Sequence, residues 1–261
     1  MRKLLIALTA AAAFSGSAFA ADMARPYTKA PAPMAPAYNW TGFYLFGGIG
    51  GGVWDADSNA VATLTNVPLS VNSKVGGDGW YGTVGAGYDW QFSGTWVAGV
   101  FADGQFGSLR GNINDPFNVT TGRIKMQDAW AAGVRLGWLV APNVLSYVNG
   151  GYSGSHWSGT TLVNALTGAN AGLHTNGFNR NGWFIGGGVE NNLNIFGITA
   201  PGWFMKTEYR AAYYNRNTIN ELVDGTNVLG ADSITFKPLV QTISTSLVYR
   251  FNWTGPVVAK Y

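Results

Sequence analysis

The stretch that decides the fold is residues 79–91, which read GWYGTVGAGYDWQ. Apolar side chains fall on even positions, namely Trp80, Val84, Ala86, Tyr88 and Trp90. Polar side chains fall on odd positions together with two glycines, namely Thr83, Gly85, Gly87, Asp89 and Gln91. Because successive side chains of a β-strand point to opposite faces, this period of two predicts a strand with one apolar and one polar face.

The same alternation recurs along the chain and predicts eight strands. The predicted segments are 42–53, 79–91, 95–106, 127–139, 143–154, 182–192, 202–214 and 238–251. Each is near the ~9–11 residues that a tilted strand needs to cross a bilayer. In the segment 143–154 the assignment of faces stays open, because both Tyr147 and Val148 could face lipid.

The connections between these segments alternate strictly in length. The short ones are 92–94, 140–142 and 193–201, and the long, polar ones are 54–78, 107–126, 155–181 and 215–237. Outer-membrane barrels have short periplasmic turns and long extracellular loops. The sequence therefore predicts an all-β fold, an eight-stranded antiparallel up-and-down transmembrane β-barrel. A soluble up-and-down barrel is the competing interpretation.

The composition agrees with an exported membrane protein. Charged residues make up 11% of the chain, well below the ~25% of soluble domains. The chain has no Cys, which excludes disulfides and thiolate chemistry. Of its 16 basic residues, Arg2 and Lys3 belong to the predicted signal peptide, which leaves 14 against 13 acids. We therefore expect no nucleic-acid partner.

Four regions are predicted along the chain. Residues 1–20 have the basic start, apolar run and small-x-small ending of a secretory signal peptide. A membrane anchor is the rival interpretation, but the apolar run is shorter than a span of about 20 residues. Residues 21–38 are rich in Pro and Ala and predict an extended periplasmic linker. Residues 39–253 form the predicted barrel, and residues 254–261 form a C-terminal tail.

Eight charged side chains fall on the face opposite the apolar one. They are Asp89, Asp103, Arg135, Glu190, Lys206, Glu208, Arg210 and Arg250. A charge that faces lipid at mid-bilayer costs ~2–4 kcal/mol, which explains why all eight avoid that face. An eight-stranded barrel is only just wide enough for its side chains to fill it. Four acids and four bases therefore predict an ion-paired network that plugs the lumen, with a small water-filled ion path as the alternative.

The tetrapeptide Asn-Trp-Thr-Gly occurs twice, at residues 39–42 and 252–255. In a closed barrel the first strand pairs with the last, so both copies belong to the same end. We therefore expect Trp40 and Trp253 to lie at one membrane interface, where a Trp side chain combines an apolar body with a polar N–H. The other aromatic residues predicted at the membrane interfaces are Trp80, Trp90 and Trp138.

Three short motifs carry a resemblance to a known family. They are YNWTGFY at 38–44, GYDWQ at 87–91 and VYRFNW at 248–253. In this order they resemble the small outer-membrane β-barrel proteins of alphaproteobacteria, which are surface antigens often called outer-membrane immunogenic or porin-family proteins with an OmpA-like eight-stranded barrel. Tyr249 and Phe251 stand where such barrels carry an aromatic assembly signature in the last strand.

The resemblance implies an integral protein of the Gram-negative outer membrane that supports envelope integrity and contact with the environment or a host. Its implied partners are outer-membrane lipid and lipopolysaccharide, the barrel assembly machinery and periplasmic chaperones. A host or environmental ligand at the extracellular loops is also implied. A small porin that passes ions or small solutes is the alternative function.

The sequence offers little for an enzyme. His156–Trp157–Ser158 resembles the His-x-Ser piece of lipid A deacylases, in which a serine nucleophile needs a histidine base and an acid. The nearest downstream acid, Glu190, is predicted in the lumen near the opposite end of the barrel. His156 and His174 share a loop without a fixed scaffold and make a weak metal site. We therefore predict no catalytic residue, cofactor or metal, and keep a lipid A-modifying enzyme as the less favoured class.

Overall fold

The computed structural model describes residues 38–195 and 198–251. For residues 194, 195, 198 and 199 it describes the backbone only. The strands are β1 (Gly42–Ala62), β2 (Ser73–Phe92), β3 (Trp96–Asp115), β4 (Thr120–Ala141), β5 (Val144–Trp157), β6 (Thr160–Asn164), β7 (Asn170–Thr175), β8 (Phe178–Ile195), β9 (Ile198–Tyr214), β10 (Asn217–Val223) and β11 (Leu229–Phe251). The described part holds no helix long and apolar enough to span a membrane. The predicted signal peptide, nearly all of the linker, and the tail lie outside the described residues.

Eight of these strands close into a ring. They follow the order β1-β2-β3-β4-β5-β8-β9-β11, and β11 also pairs with β1. The β1–β11 ladder is antiparallel and runs without a register shift from Phe43↔Phe251 to Ala62↔Asp232. In lipid, backbone groups have no water to bond, so a sheet that spans a membrane must leave no free edge. The predicted eight-stranded antiparallel up-and-down barrel is confirmed.

The strands are longer than the sequence predicts. Each predicted segment coincides within one residue with part of a strand, but β3 continues to Asp115 and β4 already begins at Thr120. The regions predicted as loops at 155–181 and 215–237 contain β6, β7 and β10, which extend the sheet beyond the ring. The long polar connections are therefore partly strand, which the sequence analysis did not predict, because polar Thr- and Asn-rich segments can continue a ladder once the strand has left the membrane.

Exposed aromatic side chains mark two levels on the outer surface. On β2, Trp80 and Trp90 are 77% and 50% exposed and ten positions apart. At a rise of ~3.4 Å per residue and a tilt of ~40°, ten positions span ~26 Å along the barrel axis. On β3, the exposed Trp96 and Phe106 have the same spacing. We infer that these levels bound the apolar band of ~25 Å that faces lipid.

The turns distinguish the two ends of the barrel. β2 and β3 are joined by residues 93–95, where Ser93 and Gly94 have φ of 50° and 73°. Two successive positive φ values suit a tight hairpin whose twist matches that of the strands. Only residues 142–143 join β4 to β5. Because outer-membrane barrels have short turns on the periplasmic side, we expect this end to face the periplasm and the strand extensions to face the outside of the cell.

Closure of the ring can be tested by a disulfide between its first and last strands. Ile49 pairs with Thr245 across β1 and β11, and both side chains are exposed. In this Cys-free chain, we expect the double variant Ile49→Cys/Thr245→Cys to cross-link on oxidation. The linked chain should migrate faster than the reduced chain after boiling in detergent without reductant.

The matched control is Ile49→Cys/Phe106→Cys. Ile49 faces Gly82 on β2, and Gly82 faces Phe106 on β3, so the two positions are separated by about two strand spacings, ~9.6 Å. That separation exceeds the ~7 Å that a disulfide tolerates between Cα atoms. Equal cross-linking of both pairs, or none of the first, would contradict the closed ring.

Candidate functional site: the charged lumen

The lumen receives one of every two side chains from each strand. The eight charged side chains predicted inside are all at most 7% exposed. The glycines of 79–91 explain how this narrow space accommodates aromatic rings as well. A Cβ at Gly87 would collide with the Tyr44 ring, and a Cβ at Gly85 with the Phe46 ring. The alternation of Gly with polar residues in β2 therefore makes room for two large side chains of β1.

Four of the charges form a closed ring of ion pairs, here called the periplasmic quartet: Asp89, Arg135, Glu190 and Arg250. Arg135 donates through Nε and Nη2 to the two oxygens of Asp89, and the bond from Nε is 2.9 Å long. Its Nη1 donates to Glu190 Oε2 at 3.1 Å. Arg250 donates to Glu190 Oε1 at 2.7 Å and to Asp89 Oδ2 at 2.8 Å. Each arginine therefore bridges both carboxylates, and the formal charges cancel.

The other four charges form the central quartet, one layer further from the periplasm: Asp103, Lys206, Glu208 and Arg210. Arg210 binds Asp103 through two parallel bonds of 3.0 and 2.8 Å and also reaches Glu208 Oε1 at 2.8 Å. The Lys206 ammonium lies 3.8 Å from Glu208 Oε2 and 3.3 Å from the centre of the Phe46 ring. This layer is also neutral, and its lysine gains attraction from the ring face.

Sequence reasoning missed two side chains that complete the central quartet. Tyr147 Oη and Asn149 Nδ2 donate to Glu208 Oε2 at 2.8 and 2.9 Å. Both come from β5, the strand whose faces the sequence left open. Tyr147 is 2% exposed, whereas Val148 is 57% exposed, so odd positions face the lumen there. Asn149 could have indicated this orientation. It lies on the same face of β5 as Tyr147, and a side-chain amide is expected in the lumen rather than against lipid.

The prediction that the Trp40 side chain lies at a membrane–water interface was wrong. The side chain is 1% exposed, and its ring lies 4.4 Å from the Arg250 guanidinium carbon and 5.0 Å from the Phe204 ring. Its backbone N–H donates to Gln91 Oε1 at 2.8 Å. Trp40 precedes β1, so the alternation of side chains along the strand does not determine which way it points. Inside the barrel, its ring gains a cation–π contact with the buried Arg250. Its predicted partner, Trp253, lies outside the described residues.

The remaining predicted aromatic residues face outward. Trp80, Trp90 and Trp138 are exposed on the barrel surface. On β11, the ring of Tyr249 lies 4.9 Å from that of Phe251. Tyr249 is 37% exposed, on the strand face opposite the inward Arg250.

The three groups of the deacylase-like interpretation do not meet. His156 Nδ1 lies 2.7 Å from Asn179 Oδ1, and the Ser158 hydroxyl accepts the backbone N–H of Lys125 at 3.1 Å. Glu190 is bound within the periplasmic quartet. Among the described residues, no hydrogen bond joins this histidine to this serine, which a nucleophile–base pair would need.

An apolar layer lies on the extracellular side of the central quartet and is here called the apolar plug. Its centre is a triangle of Trp54, Trp157 and Phe236, with ring centroids 5.1, 5.7 and 5.2 Å apart. The surrounding aliphatic side chains are all at most 1% exposed: Leu109, Ile113, Ile124, Leu162 and Ile234. This layer offers a passing ion no polar partner from its central side chains except two indole N–H groups.

The closed ring, the exposed apolar belt and the charged interior define an outer-membrane β-barrel protein. The chain is similar to the 31 kDa outer-membrane immunogenic proteins of Brucella melitensis and Brucella suis. Each is 29% identical over 255 residues, which cover 95% of this chain and 100% of the relative. The predicted resemblance to alphaproteobacterial outer-membrane antigens, and the predicted location in the outer membrane, are confirmed.

Among solved structures, the outer-membrane protein OprG from Pseudomonas aeruginosa has the same fold. The TM-score is 0.54 at 10% sequence identity, with 82% of this chain and 98% of that chain covered. No protein-family model matches the chain.

The periplasmic quartet makes a prediction for stability. Replacing Arg135 by Met leaves Asp89 and Glu190 buried with Arg250 alone, and breaking such a buried pair costs ~3–5 kcal/mol. We expect the free energy of unfolding, measured by urea titration in lipid vesicles, to fall by about that amount. The double variant Arg135→Met/Asp89→Asn should lose much less than the sum of its two single variants.

The control is Lys74→Met at the extracellular end. Lys74 lies 3.8 Å from Asp55, but its side chain is 77% exposed, and exposed pairs contribute at most ~1 kcal/mol. If Arg135→Met costs no more than Lys74→Met, the guanidinium does not hold the lumen together.

Proposed function

We propose that the protein is a structural, surface-exposed component of the outer membrane whose lumen is plugged. In this role it supports envelope integrity and presents its strand extensions to the environment or a host. The observation that carries the proposal is the layered filling of the lumen by the periplasmic quartet, the central quartet and the apolar plug.

The two kinds of layer oppose ion passage for different physical reasons. In the quartets, every charge has an opposite charge within hydrogen-bond or ion-pair distance, so a passing ion would have to displace a bonded partner. In the apolar plug, an ion would lose its hydration shell against aromatic rings, at a cost of tens of kcal/mol without compensating partners. Together the layers favour a closed barrel over the small porin that is the alternative.

The outer surface supports the implied partners. The exposed belt between the two aromatic levels suits outer-membrane lipid and lipopolysaccharide. The outward aromatic pair of β11, Tyr249 and Phe251, suits recognition by the barrel assembly machinery after delivery by periplasmic chaperones. At the opposite end, the tips of the extensions carry apolar side chains such as Leu64 and Leu166, 91% and 84% exposed, which suit contact with an external ligand.

A plugged lumen predicts electrical silence. Refolded protein in planar lipid bilayers should give no stable conductance steps. Insertion is verified separately by different mobility of unboiled and boiled samples in detergent gels. Reproducible steps from the inserted protein would overturn the proposal. If ion selectivity also changed in Arg210→Gln, the steps would be assigned to a porin path along the central quartet.

The surface role predicts a labelling pattern on intact cells. A single cysteine in place of Leu166, at a tip of the extensions, should react with a membrane-impermeant maleimide. A single cysteine in place of Thr95, exposed in the short turn between β2 and β3, should react only after the outer membrane is permeabilised. The reverse pattern would invert the topology.

A further inference from the structure

Three buried carboxylates lie above the apolar plug and take no part in the lumen layers. Asp115, Glu221 and Asp232 are 1%, 0% and 2% exposed. One ligand oxygen from each lies within 4.8 Å of the other two. Within the described residues, no lysine or arginine forms an ion pair with any of them. Three acids are therefore gathered out of water without a protein cation to balance them.

The fold brings these acids together from distant parts of the chain. Asp115 ends β3, nine positions beyond the upper aromatic level at Phe106, and Asp232 pairs with Ala62 near the extracellular end of β1. Glu221 lies on β10, where the ladder with β11 shifts register between Asn220 and Leu222. A β-bulge re-aims side chains, and here Glu221 and its neighbour Leu222 are both buried. The bulge thus directs a carboxylate inward.

Two buried oxygen groups at this place have no hydrogen-bond partner. Both carboxylate oxygens of Glu221 are unpartnered in the described part of the chain, and so is the hydroxyl of Thr120. Thr120 is 4% exposed and stands directly opposite Asp115 in the β3–β4 ladder, where Cβ atoms are ~4.5–5.5 Å apart. Since more than ~90% of buried polar groups in proteins are bonded, these oxygens indicate a ligand.

The chemistry of the donors selects a hard cation. All four groups offer oxygen, and none offers the nitrogen or sulfur that zinc prefers. Ca²⁺ binds oxygens at ~2.3–2.6 Å, so two ligands on opposite sides of it are up to ~5 Å apart. The three acids meet this requirement, since an oxygen of each lies within 4.8 Å of the other two. Mg²⁺ demands near-ideal octahedral geometry and gives up its waters reluctantly, so a buried set of protein oxygens favours Ca²⁺.

We propose that Asp115, Glu221 and Asp232, with the hydroxyl of Thr120, bind a Ca²⁺ ion at the extracellular mouth of the barrel. The ion ties the β3–β4 turn to β10 and β11 on the other side of the opening. The sequence predicts no metal site, because the three acids are far apart in the chain and meet only after closure and the bulge.

The surrounding hydrogen bonds orient two of the ligands. The backbone N–H groups of Phe117 and Asn118 donate to the two oxygens of Asp115 at 2.8 and 3.0 Å. The Asn118 side-chain amide donates to both oxygens of Asp232 at 2.9 and 3.0 Å. Such partners hold carboxylates in place for a metal without using all of their lone pairs.

The competing occupant is a proton. Burial, with the charges of Asp232 and Asp115, raises the pKa of Glu221 to about 8. Burial, with a hydrogen bond to Asp115, raises the pKa of Asp232 to about 6. A cluster that merely holds protons would show no response to Ca²⁺, so the two occupants are distinguished by experiment.

The test uses the mature protein refolded in zwitterionic detergent without lipopolysaccharide, whose phosphates bind Ca²⁺ themselves. At about pH 8.5, where protons compete less with the metal, radioactive Ca²⁺ should bind at one ion per chain. We expect a Kd of about 1 mM or tighter, as in extracellular calcium sites. Bound Ca²⁺ should raise the thermal midpoint, since a ligand that binds only the folded state stabilises it, and Mg²⁺ should raise it less.

The decisive variant is Glu221→Gln, with Asp232→Asn as a second and Asp57→Asn as the matched control. Asp57 is an acid at the same end with a side chain that is 44% exposed and lies 3.9 Å from Lys74. Both cluster variants should bind Ca²⁺ at least about tenfold more weakly, because each removes one charged ligand. Glu221→Gln should be at least as stable as the parent in chelator and less stable in Ca²⁺. Asp57→Asn should behave as the parent in both.

Three results would overturn the site. The first is no Ca²⁺-dependent rise in the midpoint of the parent protein. The second is an equal response to Mg²⁺, which would indicate general screening. The third is an equal loss of stability for Glu221→Gln in chelator and in Ca²⁺, which would give the carboxylate a purely structural role. Folding of each variant is verified by the mobility difference between unboiled and boiled samples.

Discussion

The barrel depends on one electrostatic constraint, that charges buried away from water must meet opposite charges. In the periplasmic quartet, Arg135 and Arg250 each bridge the same two carboxylates. That arrangement requires strands β2, β4, β8 and β11 to present these residues at one height and all toward the lumen. An unpaired ion there would cost several kcal/mol. The register of four strands is therefore specified by a single group of side chains, in addition to the apolar pattern on the outside.

The lumen changes character along its axis, and each layer has its own means of excluding water. Trp40 covers the periplasmic quartet at one end, with its ring against the Arg250 guanidinium. The central quartet adds Tyr147 as a neutral donor to Glu208. Above it, packed aromatic and aliphatic side chains replace charges altogether. The acids at the mouth differ from the quartets, because no lysine or arginine among the described residues forms an ion pair with them. The cation that we propose to balance them comes from solution.

Strand parity explains how much of this could be read from the sequence. The alternation in 79–91 predicts both the strand and the direction of Asp89, because a period of two fixes faces wherever one face meets lipid. Beyond the membrane both faces of a strand can be polar, and the pattern that reveals β6, β7 and β10 disappears. The direction of the Trp40 side chain is not predicted, because this residue precedes β1 and the alternation does not apply to it. The pairing of Tyr147 with Glu208 and the meeting of Asp115 with Glu221 depend on closure in three dimensions, and a linear pattern does not carry that information.

The last strand shows why the layers are coupled. β11 contributes Asp232 at the mouth, Phe236 in the apolar plug and Arg250 in the periplasmic quartet, all on one face. Its neighbour β1 pairs with it from Phe43↔Phe251 to Ala62↔Asp232 without a shift. A slip of one residue would turn each of these side chains toward the outside at once, since the side-chain period of a strand is two. The Arg250 guanidinium would then face lipid, and the apolar plug would lose the ring of Phe236. Closure is therefore cooperative: the register that satisfies the ion pairs is also the register that fills the plug and gathers the acids.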